Sequence, residues 1–214
     1  MKVIDLTHTI RKGMPVYPGT EGPKLDVANT YEQHGFKETL LTMFSHTGTH
    51  MDSPMHLFGD RTSLDSLPAE HFVGQGLVID CSNLKENEII TIKYIDSVRE
   101  KADQAEYILF YTGWDKFWGR DLYFGNYPYI SEEVADYLIK SKKKGVGLDV
   151  IGLDPISDEK LSLHRKLLSQ RDIVIIENLT NIGEIGNDLF TFCALPLKFE
   201  NADGAPARAI AMVE

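Results

Sequence analysis

Cysteine is almost missing from this chain. Cys81 and Cys193 are the two among 214 residues. So far apart, they suggest neither a disulfide scaffold nor a C-x-x-C metal knuckle, and they fit a reducing cytoplasm. No apolar run approaches the roughly 18 residues of a membrane-spanning helix. The opening MKVIDLTHTIRKGMPVYP has no apolar segment typical of a secretory signal and meets an acid at Asp5. Basic residues are outnumbered, 22 Lys and Arg against 32 Asp and Glu, for a net charge of −10. That speaks against a nucleic-acid binder, which needs a basic footprint. Also absent are internal repeats, a G-x-S-x-G nucleophile elbow and a Gly-rich phosphate loop, which disfavours serine hydrolases and nucleotide enzymes. What remains is ordinary: 43% apolar and 25% charged residues, the composition of one soluble domain spanning residues 1–214.

Short β-like runs alternate with helical patterns, so the expected class is α/β. The expected strands are 2–6, 37–44, 76–80, 107–112, 146–149, 173–176 and 207–213. The expected helices are 92–101, 132–143 and 159–170. Thr91 and Ser131 stand as N-caps of the first two. The basic run Lys142-Lys143-Lys144 reads as the polar C-terminal end of the second helix, where cations are favourable. The stretch 113–128 carries Trp114, Phe117, Trp118, Tyr123 and Phe124. These side chains either line an apolar pocket or belong to the core.

Histidine is what the sequence concentrates. Of seven in the chain, His46, His50 and His56 fall within eleven residues, with Asp52 among them. Imidazole and carboxylate donors together suit Zn²⁺, Mn²⁺ or Fe²⁺. A helix would place His46 and His50 on one face, but Thr47, Gly48, Thr49 and Pro54 all disfavour it. An ideal strand would separate His46 from His50 by roughly 13 Å, too far for one ion, and His50 from Asp52 by about 6.6 Å, which works. The chain is therefore expected to bend at Gly48, in a loop that follows strand 37–44. His56 is either a further ligand or a free base, and its range of titration favours acid/base work. His8 reads as structural, with a place near the pocket as the alternative.

The segment HTGTHMDSPMH resembles the HxGTHxDxPxH signature of the cyclase family of metal-dependent hydrolases, which includes bacterial kynurenine formamidases and isatin hydrolases. Weaker similarities occur in the family's order. They are Ile4-Asp5-Leu6-Thr7-His8, Pro15-Val16-Tyr17-Pro18-Gly19, Thr112-Gly113-Trp114, Gly147-Leu148-Asp149, Leu195-Pro196-Leu197 and Asp203 to Ala209. The resemblance implies a swivelling β/β/α domain with a central mixed sheet and outer helices. It also implies a homodimer or higher oligomer. It adds His164 and Glu177 to His46, His50 and Asp52 as metal ligands, with Asp52 bridging. Read alone, His164 would sit on the polar surface of helix 159–170, whereas Glu177 ends an apolar run, where a buried carboxylate needs a reason.

The activity so implied is hydrolysis of a small amide by a metal-activated water, with His56 as acid/base and Tyr17 stacking on an aromatic substrate. Zn²⁺, one or two ions per chain, fits the histidines, and Mn²⁺ fits the carboxylates. N-formylkynurenine is the first substrate suggested, although Tyr17 stands where the family's formamidases have Trp. The alternatives are a cyclic amide such as isatin, a metal-dependent dehydratase or cyclase, and a metal-binding protein without turnover.

Overall fold

The computed structural model describes residues 1–170 and 172–214. Among these residues the strands are β1 (Lys2–Asp5), β2 (Lys24–Asn29), β3 (Glu38–Thr42), β4 (His50–Asp52), β5 (Val73–Asp80), β6 (Ile89–Ile90), β7 (Tyr107–Tyr111), β8 (Tyr129–Ile130), β9 (Gly145–Leu148), β10 (Val174–Glu177), β11 (Phe190–Pro196) and β12 (Gly204–Val213). The helices are α1 (Tyr31–His34), α2 (Ile92–Asp96), α3 (Arg99–Gln104), α4 (Glu132–Lys140) and α5 (Ser162–Leu168). None is long and apolar enough to cross a membrane.

The main sheet runs β1-β12-β11-β5-β7-β9-β10-β4, and β4 also pairs with β12. This second pairing closes seven strands into a ring, and β1 pairs with the far half of β12. β5, β7, β9 and β10 are mutually parallel and the other pairings are antiparallel, so the sheet is mixed, as expected. Alternation along the strands divides the apolar residues between two cores. Met51, Val78, Tyr107, Leu109, Val174, Ile176, Phe192 and Ala205 meet on one face of the sheet. Leu77, Ile79, Ile108, Phe110 and Ile175 face the other way, against Ile95, Val134, Leu138, Leu163 and Leu167 of the helices.

Several elements depart from the sequence expectation. Helix 92–101 breaks into α2 and α3 because Val98 leaves helical geometry, with φ −132° and ψ 27°. Ser131 does cap α4, accepting from the amide of Val134, but Thr91 makes no side-chain cap. The lysine run is not the end of α4. Lys142 turns left-handed at φ 52°. Lys143 is buried, and its Nζ donates to the carbonyls of Ala102, Asp103 and Ala105 at the end of α3. Helix 159–170 shortens to α5 because Leu161 is left-handed at φ 53°. The strand expected at 37–44 is β3, which pairs only with β2 in an exposed hairpin. β2, β4, β6, β8 and β11 were not expected, and β4 puts His50 and Asp52 on a strand instead of in the expected loop. In β11, Phe190, Phe192 and Ala194 turn inward between outward neighbours, a period of two that its Cys and Pro obscure.

Candidate metal centre

The registers of β4 assemble one side of the site. Glu177 of β10 stands opposite His50, and Gly204 of β12 stands opposite Asp52. Met51 enters the inner core, so its neighbours His50 and Asp52 project together from the opposite face. The bend expected before them is present: Gly48 has φ 68° and brings His46 back toward Asp52. Gly204 makes room, since a Cβ there would collide with the His46 ring. α5 supplies His164, which is 5% exposed and faces the site.

Asp52 is 1% exposed and shares itself between two donor groups. Its Oδ1 lies 2.6 Å from His46 Nδ1 and 3.3 Å from His50 Nε2. Its Oδ2 lies 3.5 Å from His164 Nε2, which is 3.1 Å from Glu177 Oε1. Two sets, His46 with His50 and Asp52, and Asp52 with His164 and Glu177, each present donor atoms within 4.8 Å of one another. Sequence reasoning named all five residues, and the fold brings them together.

The surroundings fit a cation. Among the described residues no Lys or Arg pairs with Asp52 or Glu177; their ion-pair partners are histidines. Burial opposes charge on these groups, but the carboxylates and imidazoles outweigh it. Asp52 is held well below the usual carboxylate range by His46 and His50, and His164 well above its usual value by Asp154, Asp52 and Glu177. Against the same burial, Asp52 and Asp203 push His46 up to about 10. A site that concentrates positive charge in this way exchanges protons for metal. The outer hydrogen bonds also aim the rings, as they do for metal-ligating histidines. His50 Nδ1 donates to Gly48 O at 2.8 Å and His164 Nδ1 to Asp154 at 2.6 Å, which leaves each Nε2 facing the carboxylates.

His56 ends the short turn Pro54–His56, its ring 4.1 Å from that of His46. Burial lowers its pKa, so the imidazole is neutral near pH 7. Its Nδ1 is 4.0 Å from Asp203 Oδ2, which also accepts from Ser45 at 3.2 Å and lies 3.0 Å from His46 Nε2. Asp203, Asp154 and Asn178 were missed as functional residues. A carboxylate beside a glycine, in a segment already similar to the family's, was the available signal for Asp203.

All these groups line a cleft of about 740 Å³, together with Pro15, Val16, Tyr17 and Phe44. Partial burial and Glu177 raise the Tyr17 hydroxyl. The aromatic stretch 113–128 does not line the cleft. Trp114 and Tyr123 are core, and Phe117, Trp118 and Phe124 pack against them. His8 is also outside, stacked on Trp118 at 3.8 Å.

Residues 4–155 match the model of a family described as Putative cyclase. A kynurenine formamidase of Bacillus cereus is 30% identical over 209 residues, covering 97% of this chain and 95% of its own. Isatin hydrolase A from Labrenzia aggregata has TM-score 0.84 and 26% identity, covering 99% of this chain and 93% of its own. A structure described as a potential metal-dependent hydrolase with cyclase activity has TM-score 0.79 and 28% identity, covering 98% and 96%.

Proposed function

The chain belongs to the Putative cyclase family, and from that premise we propose that it is a metal-dependent arylformamidase, hydrolysing the C–N bond of small aryl formamides. One observation carries the metal-dependent part of the reading: the two oxygens of Asp52 each face a separate set of candidate ligands, so the residues present offer donors for two cations. His46, His50 and Asp52 would hold one ion, and Asp52, His164 and Glu177 the other. Zn²⁺ suits the imidazoles and Mn²⁺ the carboxylates. When bound, such ions polarise the scissile carbonyl and bring water toward neutral ionisation.

The protein's own groups do the rest. Neutral His56 takes the proton of the attacking water and returns it to the departing nitrogen, so the C–N bond breaks to formate and an arylamine. Asp203, 4.0 Å from His56 Nδ1, places a negative charge beside the ring. Tyr17 and Phe44 flank the aromatic part of the substrate in the cleft. The cleft is lined by Asp154, Glu159 and Asp203 besides the ligands, and by no Lys or Arg among the described residues. N-formylkynurenine, in line with the name of the kynurenine formamidase relatives, is the first substrate of this reading. A cyclic amide such as isatin is the second reading, favoured by the likeness to isatin hydrolase A.

Exposed apolar side chains on and beside the β2–β3 hairpin, Val27, Tyr31, Phe36, Leu40, Leu41 and Phe44, support a homodimer or higher oligomer. Free Cys81 and Cys193 support a reducing cytoplasm.

The test is formate release from formanilide and N-formylkynurenine, and ring opening of isatin, by metal-loaded protein. Formate and aniline from formanilide support the reading. Opening of isatin alone moves the activity to cyclic amides. Loss of water from a hydroxylated substrate, with no hydrolysis, supports a dehydratase instead.

A further inference from the structure

We propose that Asn178 is a positioning residue of the metal centre: with Tyr123 fixing its amide, it holds the Gly48 carbonyl that sets the tautomer and aim of His50. The inference rests on the metal-centre reading and adds a residue that acts through His50 rather than as a ligand.

Asn178 follows Glu177 and is buried, at φ 56°, a left-handed conformation that Asn accepts more readily than most residues. Its four hydrogen bonds reach three separate segments. Its N–H donates to Val150 O at 2.9 Å. Its carbonyl accepts from Thr49 Oγ1 at 2.6 Å. Its Nδ2 donates to Gly48 O at 3.0 Å, and its Oδ1 accepts from Tyr123 Oη at 2.8 Å.

The direction of this chain of bonds is forced. A backbone carbonyl only accepts, so the NH₂ end of Asn178 must face Gly48, and Oδ1 must face Tyr123. The Tyr123 hydroxyl is then the donor, and a flipped amide would set two acceptors against each other. The same Gly48 carbonyl accepts from His50 Nδ1 at 2.8 Å. His50 therefore carries a hydrogen on Nδ1, and Nε2 is the ring atom it presents toward Asp52 and Glu177. Gly48 sits in the bend at φ 68°, where the backbone is least constrained by its own side chain, and Asn178 is what anchors its carbonyl. The ligand Glu177 and the aim of the ligand His50 are thus tied through one side chain, and with them the two halves of the centre. Thr49, between Gly48 and His50, makes the second tie to Asn178.

The test uses Tyr123→Phe, which removes one hydroxyl, and Asn178→Gly, which removes the amide at a φ that glycine accepts. Zn²⁺ affinity of the metal-stripped protein is measured by competition with a chromogenic chelator, beside a thermal melt of the same stripped protein. Both variants should bind Zn²⁺ about 10–100-fold more weakly than wild type, the usual effect of losing an outer-sphere partner. A merely structural role would lower the melting temperature and leave Zn²⁺ affinity unchanged, and that result overturns the proposal. Should Asn178→Gly fail to fold, Tyr123→Phe decides alone. A wild-type protein that binds no Zn²⁺ would overturn the metal-centre reading itself, a separate outcome.

Discussion

Asp154 grips His164 twice. Its Oδ2 lies 2.6 Å from the ring Nδ1 and accepts from the backbone N–H of the same residue at 2.9 Å. Its Oδ1 accepts from the N–H of Leu163 at 2.7 Å, so one carboxylate both caps α5 and orients the histidine that α5 delivers. Asp154→Asn keeps an acceptor for the amides but loses the charge behind the imidazole. Zn²⁺ affinity at the His164–Glu177 side should fall about 10–100-fold, read by chelator competition, while the melting temperature changes little.

His56→Gln should lower kcat for formanilide by about 10²–10⁴-fold, the usual contribution of a positioned acid/base. Metal content should be unchanged. Loss of metal in parallel would place His56, with His46 and Asp203, among the ligands instead.

The legible part of this site was local. His46, His50 and Asp52 lie close enough in sequence for chain geometry alone to demand a bend, and Gly48 provides it at φ 68°. His164 was legible only through family resemblance. α5 buries Leu163, His164, Leu167 and Leu168, so the histidine shares the apolar face, whereas its Arg and Lys neighbours suggested a polar surface. Asp154 and Asn178 act through hydrogen bonds to residues distant in sequence, and no spacing rule reveals such partners. The fold shows the same division. Strands with strong β-branched runs, such as β10, were evident. The closure of the ring rests on β4, His50–Asp52, which is too short to carry a pattern.

His8 offers a pH test away from the metal centre. Burial, opposed by Asp115, lowers its pKa from 6.5 to about 4, and its Nε2 has no hydrogen-bond partner. Between those values the unfolded chain binds more protons than the folded one, so folded stability falls as pH drops from 6.5 toward 4. His8→Phe keeps a ring on Trp118 and does not titrate. Its stability advantage over wild type should grow as pH falls across that window, read from denaturant melts at each pH. A constant difference would show that His8 titrates normally.

Lys143→Met should destabilise without touching the chemistry. It leaves the carbonyls of Ala102, Asp103 and Ala105 without their shared donor. The loss should be about 2–4 kcal/mol by urea unfolding. Turnover per folded molecule should be unchanged, because Lys143 precedes β9 at the end opposite the ligand Glu177 of the parallel strand β10.

Metal content by elemental analysis, on wild type and Asp52→Ala in parallel after reconstitution with Zn²⁺ or Mn²⁺, tests the central claim most directly. A bridged centre predicts about two divalent ions per wild-type chain and loss of both in the variant, since Asp52 serves each set. A wild-type protein that takes up neither metal, or an Asp52→Ala protein that keeps its full complement, would contradict it.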